Sequence, residues 1–174
     1  RSATHPVGMS APRGSGPIDV HAVALWPGAG SSAEHPSLAA IEEALAPLHV
    51  ERFDFPYRRE GRRAPDRANK LIASLRSDVA AMCARLGTTP DHVVLGGRSM
   101  GGRMCSMAVA GATGATAKGA ETREEPLSAA GVVLLGYPLH PPGKPDRLRV
   151  EHLPDVTVPT LFVWGDEDVF LSPE

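Results

Sequence analysis

Apolar positions along the chain alternate between extended runs and stripes spaced three and four residues apart, and Gly, Pro or Ser marks each change of period. A period of two belongs to strands and one of 3.6 to helices, so the alternation predicts βαβ units: a mostly parallel sheet with helices on both faces. The first strand is expected from Val20 to Trp26, followed by the turn Pro27-Gly28-Ala29-Gly30-Ser31-Ser32 and a helix opening near Pro36, striped by Leu38, Ile41 and Leu45. A second strand runs from His49 to Phe55, ahead of Pro56-Tyr57 and an arginine-rich loop. Pro65 opens the most regular helix, in which Leu71, Ile72, Leu75, Val79, Met82, Cys83 and Leu86 form one apolar face before Gly87 stops it. The third strand, His92 to Leu95, leads into Gly96-Gly97-Arg98-Ser99-Met100-Gly101-Gly102 and a small-residue helix to Ala110. Residues 111–128 carry almost no large apolar side chain and read as a flexible, exposed insertion that adds little to the core. A fourth strand is expected from Gly131 to Tyr137 and a fifth from Val158 to Trp164, separated first by the proline-rich stretch 138–145.

With 174 residues the chain fits one domain, expected over 18–174 after a flexible segment 1–17. The fold class expected is α/β, a three-layer sandwich around a mostly parallel sheet. Hydrophobic residues make up 42% and charged residues 22%, as in soluble globular domains, and no stretch approaches the ~20 apolar residues of a membrane span. A formal net charge of -2 argues against a general nucleic-acid surface. Cys83 and Cys105 both fall in apolar helical patterns, which predicts free buried thiols and a cytoplasmic protein.

Chemistry concentrates in Gly97-Arg98-Ser99-Met100-Gly101, a G-x-S-x-G between an apolar strand and a helix. A nucleophile elbow needs a sharp strand-to-helix turn, with glycines flanking a strained serine so that neighbouring backbone can pack closely. Gly97 and Gly101 meet that need; Ser99 is the candidate nucleophile, and the Met100 N–H, at a helix N-terminus, is a candidate oxyanion donor. The alternative is a glycine-rich turn with an ordinary helix-capping serine. The turn after the first strand offers the second donor, from Ala29 or Gly30. That same turn reads Gly28-x-Gly30-x-x-Ala33, a loose dinucleotide fingerprint, with Asp54 near the position of a ribose-binding acid. The dinucleotide reading leaves the Ser99 turn unexplained. Finally, Pro159-Thr160-Leu161-Phe162-Val163-Trp164-Gly165-Asp166-Glu167-Asp168 is an apolar strand ending in acids, of which Asp168 is the candidate to orient a histidine.

Taken together, the PGAG turn, FDFPYRREGRRAPDR (53–67), GGRSMGG (96–102), GYPLHPPGKP (136–145) and PTLFVWGDED (159–168) resemble the dienelactone-hydrolase-like α/β-hydrolases. More narrowly, they resemble the group of testis-expressed and NSL-complex-subunit homologues. The resemblance spans most of residues 18–170. It implies an α/β-hydrolase fold, Ser99 as nucleophile, Asp168 as triad acid, and an oxyanion hole from Met100 and the Pro27–Gly30 loop. Proline at 27 departs from the histidine common before the oxyanion glycine, and some members of the group are non-catalytic subunits.

Triad order in this fold is Ser, acid, His, so the base is expected after Asp168, where only Val169 to Glu174 remain and none is histidine. Truncation of a longer hydrolase is the first explanation, a pseudoenzyme the second, and replacement by another histidine the third. His140 follows the fourth strand on the site-bearing edge and is a candidate to line the pocket or act as base, whereas His5, His35 and His152 carry no assigned role. Arg58 and Arg59, in the loop after the second strand, are candidates to meet an anionic substrate. No zinc-spaced Cys/His cluster or Walker motif occurs, so no metal or nucleotide cofactor is implied. The function expected is hydrolysis of a small ester, lactone or thioester through an acyl-serine, with a non-catalytic interaction module as the contrasting reading.

Overall fold

The structure is a computed structural model and describes residues 18–115 and 121–165. Its centre is a five-stranded parallel sheet of β1 (Ala22–Trp26), β2 (His49–Arg52), β3 (Val93–Arg98), β6 (Gly131–Leu135) and β7 (Thr160–Val163), in spatial order β2-β1-β3-β6-β7. Helix α1 (Pro36–Leu45) links β1 to β2, α2 (Pro56–Arg59) and α3 (Ala68–Leu86) link β2 to β3, and α4 (Met100–Val109) follows β3.

Alternation along β1 builds the layers. Ala22, Ala24 and Trp26 face a core with α3 and α4, where Leu71, Ile72, Leu75, Val79 and Met82 are buried. Val23 and Leu25 face the other way onto Leu38 of α1 and Val50 of β2. Helices therefore cover both faces of the sheet, the expected three-layer sandwich. Helix α3 ends as its sequence predicts, at Gly87 with φ 63, whose N–H bonds the Cys83 carbonyl. Both cysteines are free and buried.

Three expectations need correction. A short helix, α2, replaces the loop expected after β2, because Pro56 at its first position presets the backbone and Tyr57 is fully buried. Residues 112–115 and 121–123, expected within an insertion that adds little to the core, pair as an antiparallel hairpin of β4 (Ala112–Ala115) and β5 (Glu121–Arg123). Thr113 is buried, Ala112 and Leu127 pack on the main core, and Arg76 of α3 donates to the Glu125 carbonyl at 2.6 Å. The other expected bounds shift by a few residues; β3, for one, runs on to Arg98 through its pairing with Leu135 of β6. Residues 1–17 and 116–120 lie outside the described residues. Among those described, no helix is long and apolar enough to cross a membrane.

Candidate functional site

Ser99 follows β3 directly and is the residue before α4, with φ 51 and ψ -113; it is the one non-glycine residue with positive φ among those described. L-residues avoid this region, so the turn holds the serine under strain. Its N–H donates to the Leu135 carbonyl at 2.7 Å, which ties the turn to the end of β6. The Ser99 side chain makes no capping bond to α4, unlike an ordinary helix-capping serine. Close packing explains the flanking glycines. A Cβ on Gly97 would stand 2.9 Å from the Gly101 carbonyl carbon, and one on Gly101 would stand 2.6 Å and 2.8 Å from the Trp26 carbonyl carbon and the Pro27 oxygen.

Register between β1 and β3 brings the second turn alongside. Trp26 is level with Gly97, so Gly28 arrives beside Ser99, where an added Cβ would lie 3.6 Å from the serine Cβ. Tyr57, buried on α2, donates its hydroxyl to the Ala29 carbonyl at 2.8 Å, and Asp54 accepts from the Ala33 N–H at 2.9 Å. Both bonds hold the loop from its far side. Asp54 is thus a loop anchor rather than the ribose-binding acid of the dinucleotide alternative, and α1 opens only at Pro36, too late for that fingerprint.

Ser99 and Ala29 line two cavities. One, of about 410 Å³, is walled by Met100, Arg103, Met104, Leu71, Pro138 and Arg149 among others. The other, of about 420 Å³, is walled by Gly28, Gly30, Ser31, His35 and Arg98. The structure therefore brings together Ser99, Met100, Ala29 and Gly30, all candidates from the sequence. Met100 opens α4, so its N–H lies in the first turn, where no intrahelical acceptor exists.

Other candidates fall elsewhere. Arg59 pairs with Asp78 of α3 at 2.6 Å, and neither it nor Arg58 lines either Ser99 cavity; the loop they were expected to occupy is the helix α2, which turns Arg59 onto α3. His140 is buried with its Nδ1 3.0 Å from the Pro141 carbonyl, and it too is absent from both linings. Asp168, with Asp166 and Glu167, lies outside the described residues.

Two histidines without an assigned role prove to be placed in cavities. His35 caps α1, accepting from the Ser37 N–H, and lines the cavity it shares with Ser99. His152 is buried, with Nε2 2.8 Å from Ser106 Oγ. Burial, reinforced by the Arg103 charge, pushes its pKa down to about 4. It borders a larger cavity of about 760 Å³, lined also by Arg103, Lys144, Arg147 and Arg149. Neither histidine has a local sequence signal; each is brought to its cavity by tertiary packing.

The sequence model of a family described as "Alpha/beta hydrolase domain" matches residues 20–174. Among solved structures, the chain is similar to an esterase of the planctomycete Thermogutta terrifontis in its propionate-bound form: identity is 16%, coverage 88% of this chain and 75% of that one, and TM-score 0.46. The same enzyme phosphonylated by cyclosarin gives 16% identity, 88% and 74% coverage, and a TM-score of 0.49. RedJ, with a polyethylene glycol molecule in its active site, gives 18% identity, 79% and 52% coverage, and a TM-score of 0.45. Comparison with curated proteins gives no match.

Proposed function

The chain belongs to the alpha/beta hydrolase domain family, and from that membership we propose that it is a serine hydrolase cleaving a small ester, lactone or thioester through an acyl-Ser99 intermediate. The observation that carries the reading is the strained Ser99, at φ 51 on the end of a central strand and in the wall of two cavities. An elbow of this kind presents a hydroxyl that a regular helix or strand would turn into the core.

In this reading Ser99 Oγ attacks the acyl carbon while a base takes its proton. The carbonyl oxygen becomes an oxyanion facing the Met100 N–H and an N–H of Ala29 or Gly30. Collapse breaks the bond to the leaving oxygen or sulfur, which takes the proton from the base, and water then repeats the sequence on the acyl-serine. Asp168 is the proposed acid that orients the base, a histidine in this fold's triad order. Likeness of residues 53–67, 96–102 and 159–168 to dienelactone-hydrolase-like enzymes supports the same roles, and the cytoplasm is the proposed location.

A second reading, supported by the non-catalytic members of the group that residues 53–67, 96–102 and 159–168 resemble, is an interaction module that keeps the fold. Fluorophosphonate labelling separates the two readings. With the protein produced at the full length its gene encodes, the hydrolase reading expects one adduct, located by mass spectrometry on the Ser99 peptide and lost in Ser99→Ala. An unmodified Ser99 after prolonged exposure, together with no turnover of short p-nitrophenyl esters, favours the module.

A further inference from the structure

Arg103 and Arg149 line both the Ser99 cavity and the larger one beside it. Arg103 sits one helical turn beyond Ser99 on α4, its N–H bonded to the Ser99 carbonyl at 3.1 Å. That spacing carries it about 6 Å along the helix axis from the nucleophile. Arg149 is fixed through its backbone, its N–H donating to the Leu139 carbonyl and its own carbonyl accepting from the Tyr137 hydroxyl, each at 2.7 Å. Both guanidiniums are partly buried, and among the described residues neither has an ion-pair partner, although Arg52, Arg59, Arg62 and Arg85 each have one. Arg103 Nε is shut off from solvent with no hydrogen-bond acceptor. Burial and the adjacent Arg103 charge hold the Arg149 pKa below the ordinary arginine value.

Neighbouring acids do not balance this pair. Asp66, in the Ser99 cavity wall, is committed to Arg62 at 2.9 Å and Lys70 at 3.2 Å. The larger cavity adds Lys144 and Arg147 against Asp146 and Glu151, and its His152 is neutral near pH 7. Among the described residues, four cations against two acids leave a positive site, whose walls are continuous with those of the Ser99 cavity through the two shared arginines. Arginine forks match phosphate oxygens in pairs, and lysine adds a point charge. By contrast, Leu71, Met104, Pro138 and Pro142 make much of the Ser99 cavity apolar.

We infer that the substrate is an acyl ester whose leaving portion carries a phosphate, seated in the larger cavity between Arg103 and Arg149 with Lys144 and Arg147 at its rim. The inference rests on the reading of Ser99 as nucleophile. Its chemistry is a division of labour: the reacting bond lies at Ser99 among apolar walls, and the phosphate fixes the substrate from one side.

The test compares 1-butanoylglycerol with 1-butanoylglycerol 3-phosphate on the full-length protein. The phosphorylated ester should show a kcat/KM at least tenfold higher, mostly through KM, and the preference should shrink at high salt. Arg149→Gln should cut the preference at least fivefold and Arg149→Lys should restore part of it; Arg103→Gln should cut it in the same direction. Pyrophosphate should compete with the phosphorylated ester. Equal turnover of both esters, or a preference untouched by Arg149→Gln, overturns the inference and leaves the hydrolase reading standing. If neither ester turns over and fluorophosphonate leaves Ser99 unmodified, the hydrolase reading fails. Calorimetric titration with pyrophosphate then decides the cavity alone: binding weakened tenfold by Arg149→Gln supports a phosphate site, and absence of binding overturns it.

Discussion

Replacing Ser99 by glycine or by alanine separates backbone strain from side-chain chemistry. Ser99 holds φ 51 and ψ -113, a region that costs an L-residue about 1–3 kcal/mol. Alanine keeps the Cβ that causes the strain, whereas glycine removes it. Glycine also loses about 0.5–1 kcal/mol more conformational entropy on folding. Taken at the middle of both ranges, the difference leaves Ser99→Gly more stable than Ser99→Ala by about 1 kcal/mol. No other term of that size intervenes, because the serine side chain makes no capping bond and its loss exposes no helix N–H. For a domain of this size each kcal/mol moves the melting temperature by about 2–4 °C, so the two variants should differ by about that much. Urea and thermal melts followed by circular dichroism at one pH give the comparison, with similar m-values showing that the unfolding transition is the same. Both variants should lose fluorophosphonate labelling. If Ser99→Gly melts at or below Ser99→Ala, the turn is not strained and the elbow argument fails.

Gly101→Ala should destabilise by about 2 kcal/mol or more, measured as a urea midpoint, since its Cβ would press on the Trp26 and Pro27 backbone, which cannot rotate away. Tyr57→Phe removes the hydroxyl that holds the Ala29 carbonyl; a loss of about 1 kcal/mol in stability is expected, and in steady-state kinetics kcat should fall more than KM if the loop carries the proposed oxyanion donor. His152 has a folded pKa of about 4 against an ordinary 6.5. The unfolded chain therefore binds the extra proton between those values, and stability should decline as pH falls from 6.5 to 4, by about 2 kcal/mol in urea titrations, with a shallower decline in His152→Gln. Burial raises the Cys105 thiol pKa, so iodoacetamide at pH 8 should leave Cys105 unmodified until the protein unfolds.

Much of the framework was legible because it depends on local periodicity. The α3 stripe from Leu71 to Cys83 is buried as its spacing requires, and Gly87 ends the helix in the left-handed conformation. What the sequence concealed depends on contacts between distant segments. Arg103 and Arg149 are 46 residues apart and meet only because the 138–149 segment returns over α4. The hairpin at 112–123 uses small residues, with Gly114 at φ 86, so an apolar count passes over it. A run of arginines after a strand reads as a loop open to substrate, yet the turn of α2 directs Arg59 to Asp78.

The position of the site follows from strand order. From β1 the chain passes outward to β2 on one side and returns to place β3 on the other, so the connections after β1 and β3 leave the sheet in opposite directions. A crevice opens where two adjacent parallel strands diverge in this way, at their carboxyl ends. The Pro27–Gly30 turn and Ser99 are the residues that emerge there, and the pairing of Trp26 with Gly97 sets them level. Slipping that register by one residue would exchange the faces of β1, sending Trp26 away from α3 and α4, so the packing of Trp26 also fixes the Pro27–Gly30 loop beside the serine. Core and site are specified by the same pairing, and the glycines at 97 and 101 are where the two requirements meet.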